Sequence, residues 1–263
     1  MKRAAELAVA VAALVTTGLL WTGHGLGNRQ RGHATADLAA LRPPPAPALK
    51  VGRALPLGRD RYRSRWTIVG IPTAAHAQPA LSSAVVARLR VSVPEGTPNL
   101  LSVLGTRTGR DSRLWVEVRV PVLPDGTVGW VLRRSLRPYE TVDTHLVVDR
   151  ERYRVTLYRR GRIVFSANAG VGTDAWPTPA GEFAVRSELT RYASPFYGPV
   201  AFGTTARSAV LTDWPEGGFV GIHGTDEPQL LPGRVSHGCI RLRDPDILRL
   251  ARLMPVGTPL TIR

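Results

Sequence analysis

The sequence predicts a mainly β protein with two strand-rich regions, residues 67–139 and 141–263, and a single short helix near the C-terminus. Three observations carry this expectation. Residues 114–120 and 147–157 alternate apolar and polar side chains with the period of two of a half-buried strand. Turn chemistry separates such runs, as at Pro124, Asp125 and Gly126 and again at Arg160 and Gly161. Only one stretch places apolar residues at helical spacing, with Ile247, Leu248, Ala251 and Met254 on one face.

From the N-terminus, Lys2 and Arg3 precede an apolar run over residues 7–21, the layout of an export signal. Residues 1–36 therefore read as a signal peptide or membrane anchor, with Ala34, Thr35 and Ala36 as a small-residue cleavage site. Residues 37–66 read as a Pro/Arg-rich linker. Pro43, Pro44, Pro45 and Pro47 favour extended polyproline II, and Lys50, Arg53, Arg59, Arg61, Arg63 and Arg65 follow them.

Within the first folded region, strand 114–120 leads through the turn at Pro124 to a second strand at Gly129, Trp130, Val131 and Leu132. In the second region Val147, Val148, Tyr153, Val155 and Leu157 form alternating runs, and Ile163 and Phe165 continue them after the Arg160–Gly161 turn. Residues 170–181, with Gly170, Gly172, Pro177, Pro179 and Gly181, read as a loop. Phe183 and Val185 resume alternation. Asp244 is the expected helix N-cap with Pro245 at the first helical position, Pro255 and Gly257 stop the helix, and Leu260 and Ile262 suggest a final strand.

The charge is strongly partitioned. The 263 residues carry 35 Lys plus Arg against 20 Asp plus Glu, a formal +15, and residues 1–138 hold 20 of the bases and 7 of the acids. An excess of this size suits nucleic acid, anionic lipid or an anionic polymer. Export removes nucleic acid, leaving wall polymer or a membrane surface as partners for the N-terminal half. The 43% hydrophobic content argues against wholesale disorder. A single cysteine excludes an intrachain disulfide and any multi-cysteine metal cluster.

That cysteine lies in the run Ser236, His237, Gly238, Cys239, Ile240, Arg241, Leu242. His223 and His237 are within sixteen residues of it. A thiol of ordinary pKa is only a few per cent ionised at neutral pH, so nucleophilic use of Cys239 needs a base. His223, at the end of an expected strand and before Gly224, can supply one. Gly238 lets the chain turn tightly beside the nucleophile, where the amides of Gly238, Cys239 and His237 could face an oxyanion. Spacing alone leaves open that Cys239 is a buried, inert apolar residue. A zinc site from Cys239, His223 and His237 lacks a fourth ligand.

Three separated motifs narrow these alternatives. Ile222, His223, Gly224 and Thr225, then Val235 through Leu242, resemble the signature of the L,D-transpeptidase (YkuD) catalytic domain family. Gly170, Val171 and Gly172, followed by Trp176, Pro177, Thr178, Pro179, Ala180, Gly181, Glu182 and Phe183, resemble the same family's glycine and Pro-Thr-Pro loop. The hairpin at residues 114–132 more faintly resembles the bacterial SH3-like barrels of wall enzymes, although an unrelated small β-domain fits it too.

The resemblance implies a mostly antiparallel YkuD-type β-sandwich with a short helix, preceded by a small SH3-like β-barrel. It implies a peptidoglycan enzyme that cleaves before the terminal D-Ala of a tetrapeptide stem and passes the acyl group to an amine on another stem. Cys239 would be the nucleophile, His223 the base, and the Gly224 carbonyl the third member of the triad. Ser236, His237, Gly238 and Arg241 would shape the pocket and oxyanion site, with a structural role for Arg241 favoured if it has a fixed partner. Tyr192, Phe196, Tyr197 and Trp214 would form a rim or ordinary core. Neither metal nor organic cofactor is implied, and carbapenem β-lactams are the implied covalent inhibitors. An L,D-carboxypeptidase using water as acceptor and a non-catalytic wall-binding module are the alternatives.

Overall fold

The computed structural model describes residues 62–190, 195–210 and 218–263. The signal peptide or anchor expected over residues 1–36, most of the linker expected over 37–66, and Tyr192 and Trp214 lie outside them. The described chain is mainly β with one short α-helix, and its strands form two sheets.

The first sheet contains β1 (Ser64–Ile68), β2 (Thr73–His76), β3 (Val85–Leu89), β4 (Leu100–Thr108), β5 (Leu114–Arg119), β6 (Val128–Leu132) and β7 (Glu140–Val142). Its order is β3-β2-β6-β5-β4-β1-β7, and every pairing is antiparallel. The sheet starts before residue 67 and ends after 139 because β1 and β7 pair with each other. Val69, Leu101, Val116, Val118 and Val131 pack on one core. Trp115 is also fully buried, on the face opposite Val116, where it meets His76 edge-on at 5.5 Å between ring centroids. Trp115 and Val116 are thus buried on opposite faces of β5, whereas Leu114 before them is exposed.

The second sheet contains β8 (Thr144–Asp149), β9 (Arg154–Arg159), β10 (Arg162–Asn168), β11 (Gly170–Gly172), β12 (Gly181–Leu189), β13 (Ala201–Arg207), β14 (Phe219–His223), β15 (Gly233–Ser236), β16 (Ile240–Arg241) and β17 (Pro259–Ile262). The order is β10-β9-β8-β17-β12-β13-β14-β16-β11-β15, with β8/β17, β14/β16 and β11/β15 parallel. It turns a corner at β12. Gly181 to Ala184 pair with β17, whereas Val185 to Leu189 pair with β13 across a register shift. The two halves close on one core with Leu146, Val155, Phe165, Phe202, Ile222, Ile240 and Leu260 inside. A corner strand is covered on both faces, so Phe183 to Ser187 are consecutively buried instead of alternating.

Two expectations are corrected here. Residues 170–181 are not all loop, since β11 occupies Gly170–Gly172 and β12 begins at Gly181. Gly170 serves close strand approach and not a turn, because a Cβ there would lie 2.6 Å from both Leu231 and Val235. The helix α1 spans Asp244–Ala251 with Arg243 as its N-cap, so Asp244 is the first helical residue and not the cap. Asp244 and Asp246 then place negative charge at the positive end of the helix, and Asp244 has another use described below.

Turns of the first sheet touch the second. The Arg207 amide donates to Asp125 Oδ1 at 3.1 Å, from the turn at Pro124. Glu95, on the turn between β3 and β4, forms an ion pair with Arg186 on β12.

Candidate active site

The candidate nucleophile and base come from parallel neighbours, β14 and β16, in a register that pairs Ile222 with Ile240 and His223 with Arg241. Apolar packing of Ile222 and Ile240, both fully buried, anchors the two strands. Cys239 immediately precedes β16, and His223 is the last residue of β14. Cys239 and His223 line one small cavity of about 60 Å³.

His223 is buried at 1% exposure. Its Nδ1 donates to the carbonyl of Gly224 at 2.6 Å, and Nε2 has no hydrogen-bond partner among the described residues. Binding of Nδ1 to a carbonyl selects the tautomer with its proton on Nδ1 and leaves the Nε2 lone pair available. Burial drives the imidazole down to about 4, with the Arg241 charge pushing the same way and the Gly224 hydrogen bond opposing. At neutral pH the ring is an uncharged acceptor.

Burial pushes the Cys239 thiol up, against the Gly221 N–H that donates to Sγ at 3.4 Å and the Arg241 charge. The resting pair is therefore a neutral thiol and a neutral imidazole. No hydrogen bond joins Sγ to Nε2.

Local contacts fix both groups. The His223 carbonyl accepts from the Leu242 amide at 2.8 Å. Beyond Gly224, the Thr225 amide donates to Asp244 Oδ1 at 3.0 Å, so the start of α1 holds the loop whose carbonyl orients the imidazole. Tyr197 meets the His223 ring edge-on at 4.8 Å, with Phe196 at 5.9 Å, both from the short 3-10 turn Pro195–Tyr197. These two aromatics wall off the base.

The nucleophile turn is braced by two hydroxyls. Ser236 Oγ donates to the Cys239 carbonyl at 2.6 Å and accepts from the Gly238 amide at 3.1 Å. Thr178 Oγ donates to the Gly238 carbonyl at 2.8 Å and accepts from the Gly172 amide at 2.8 Å. Gly238 has φ +112°, a conformation that side chains disfavour, so glycine is required there.

The expected oxyanion set changes accordingly. The Gly238 amide is turned toward Ser236 Oγ and is not available as a donor.

His237 is exposed and packs against Trp176 with centroids 4.4 Å apart and the rings tilted by 55°, on the side of the turn facing the Pro-Thr-Pro loop. Arg241 is buried, pairs with Glu227 Oε2 at 3.2 Å and lies over Phe196 at 4.5 Å. Its guanidinium pairs with a carboxylate whose side chain is 47% exposed, and its charge lowers the proton affinity of both His223 and Cys239. Sequence reasoning did not single out Thr178, Asp244 or the Gly221 amide for these roles. A Thr within the quoted loop motif was the one available signal, and its bond spans sixty residues.

The profile of the L,D-transpeptidase catalytic domain (YkuD) matches residues 143–262. The YkuD protein of Bacillus licheniformis is 33% identical over 128 residues, 49% of this chain and 70% of that protein. YkuD of Bacillus subtilis is 32% identical over 143 residues, 54% of this chain and 72% of that protein. Among solved structures, Enterococcus faecium L,D-transpeptidase aligns at 24% identity with a TM-score of 0.37, over 46% of this chain and 49% of that one. The chain thus spans about half the length of that structure.

Proposed function

Because the chain belongs to the L,D-transpeptidase (YkuD) family, we propose that it cross-links peptidoglycan stem peptides by acyl transfer through Cys239. The donor is a tetrapeptide stem. As Sγ attacks the carbonyl before the terminal D-Ala, the thiol proton passes to His223 Nε2 and the new C–S bond forms. The C–N bond then breaks, the proton moves from Nε2 to the departing amine, and D-Ala leaves. An amine of a second stem attacks the thioester and gives a proton to Nε2, the new C–N bond forms as the C–S bond breaks, and Nε2 returns the proton to Sγ to restore the thiol.

One observation carries this reading. His223 offers an unpartnered Nε2, with Nδ1 tied to the Gly224 carbonyl, in the cavity that also holds the only thiol. The Cys239 and His237 amides are the oxyanion donors in this account, each adding stabilisation where charge develops. Carbapenem β-lactams acylate the same thiol. No metal or organic cofactor enters the chemistry.

The same proposal puts the enzyme outside the cytoplasmic membrane, where its substrate lies, exported by the segment at residues 1–36. The first sheet is then a wall-facing module of SH3-like type, and the basic N-terminal half adds attraction to anionic wall polymer or membrane.

Incubation with tetrapeptide stems tests the reaction. Release of D-Ala with formation of cross-linked dimer is expected. Tripeptide as the dominant product would replace the transpeptidase by an L,D-carboxypeptidase, and no D-Ala release from either route would leave only the wall-binding alternative.

A further inference from the structure

The cavity that holds Cys239 and His223 also contains two charged side chains that the chemistry above does not use. Arg186 comes from β12, and Glu95 comes from the first sheet. Their side chains are only 3% and 11% exposed, and they form an ion pair between Arg186 Nη2 and Glu95 Oε1. Glu95 sits at the tip of a turn over Val93, Pro94, Glu95 and Gly96, closed by the Gly96 amide donating to the Val93 carbonyl at 2.9 Å.

Arg186 does not depend on Glu95 for its orientation. Its Nε donates to the Thr204 carbonyl at 2.9 Å, and its guanidinium lies over the Phe219 ring at 4.0 Å. Glu95 is less well served. Its second oxygen, Oε2, is buried with no hydrogen-bond partner among the described residues. A carboxylate half-satisfied in a buried pair gives back much of its Coulomb gain as desolvation. The receptor is rigid while its present occupant is poorly fitted.

The receptor also stands at the right place. Gly203 and Gly221 oppose each other across β13 and β14. A Cβ on Gly203 would lie 3.3 Å from Arg186 Nε, and one on Gly221 would lie 3.7 Å from Cys239 Sγ. Opposed residues share a face of the sheet, with Cβ positions roughly 5 Å apart. Arg186 Nε and the thiol are therefore separated by no more than roughly 12 Å, and both side chains line the same cavity, with Ser187 Oγ beside the Gly203 position, 2.5 Å from where a Cβ would lie. A carbonyl at Sγ, one further residue of about 3.6 Å and a charge-assisted hydrogen bond of about 2.8 Å fit within that span.

We propose that Arg186 receives the C-terminal carboxylate of the leaving D-Ala, and that Glu95 occupies this receptor in the free protein as an intramolecular competitor. The inference rests on the donor assignment above. It gives the first sheet a part in donor selection, because its turn must yield before a donor is seated, and it restricts donors to those with a free terminal carboxylate one residue beyond the scissile bond.

Binding without turnover tests it. Full-length protein carrying Cys239→Ala is titrated calorimetrically with a tetrapeptide ending in D-Ala and with the same peptide ending in D-alaninamide. The acid is expected to bind at least about tenfold more tightly than the amide. Adding Glu95→Gln, a near-isosteric change on a turn, is expected to tighten the acid about tenfold and leave the amide unchanged. Arg186→Gln, checked for its fold by circular dichroism, erases the difference between the peptides.

Equal binding of acid and amide, a Glu95→Gln effect that is absent or the same for both, or no binding of either peptide to the Glu95→Gln protein overturns the inference. D-Ala release by protein with Cys239 intact is read alongside. Release without any acid or Glu95 effect removes the Arg186 receptor and leaves the transpeptidase. Carboxylate-dependent, Glu95-sensitive binding without release does the reverse.

Discussion

At His223 two opposed effects act on one imidazole, and burial wins. The Gly224 carbonyl would raise its affinity for a proton, yet removal from water holds the ring at about 4. The sign of the pH dependence follows. A base depressed in the free protein stays competent until the pH falls through its lowered value, and the raised Cys239 thiol stays protonated past the usual cysteine range. The rate of acylation at low substrate is therefore expected to be flat from about pH 5 to 8, with an acid limb centred near 4 instead of near 6.5. Stopped-flow acylation across that range checks it, and a limb at 6.5 would mean that His223 is solvated in the reacting form. At this scale much was legible. The Ser236-His237-Gly238-Cys239 run and His223 before Gly224 stand out in the sequence because their members are adjacent residues, and the roles given to them rest on the family resemblance. The diversion of the Gly238 amide to Ser236 Oγ could not be read, since it depends on a side-chain rotamer within the turn.

Among the elements, the loop after β11 matters most for the nucleophile. Thr178 links the amide of Gly172 to the carbonyl of Gly238 and so fastens the nucleophile turn to β11. Thr178→Val keeps the shape and leaves both buried backbone groups unpaired, at a cost of about 1–3 kcal/mol. Acylation of Cys239 is expected to slow by about tenfold, with recovery in Thr178→Ser. A thermal midpoint lowered equally in both variants with unchanged acylation would make the residue structural only. Strands with one solvated face, such as β5 after Trp115 and β9, show their alternation in the sequence. β12 does not, because a corner strand is buried on both sides, and β11 was hidden by glycines that permit close packing as readily as a turn.

In the whole molecule, the first sheet reaches the second through Asp125 against the Arg207 amide and Glu95 against Arg186. Neither contact leaves a sequence signature, since the partners are 82 and 91 positions apart and each is an ordinary charged residue in its own segment. The uneven charge was legible, with the second region nearly balanced at 15 bases and 13 acids over residues 139–263. With little net charge in the second region, the reading proposed for it rests on the buried Cys239 and His223 and not on bulk attraction. Intact-mass analysis of the full chain after exposure to a carbapenem tests this most directly. A single covalent adduct is predicted on the wild-type protein, none on Cys239→Ala, and formation slowed by about 10²- to 10⁴-fold on His223→Ala. An adduct on Cys239→Ala, or an undiminished rate on His223→Ala, would contradict the assignment of nucleophile and base.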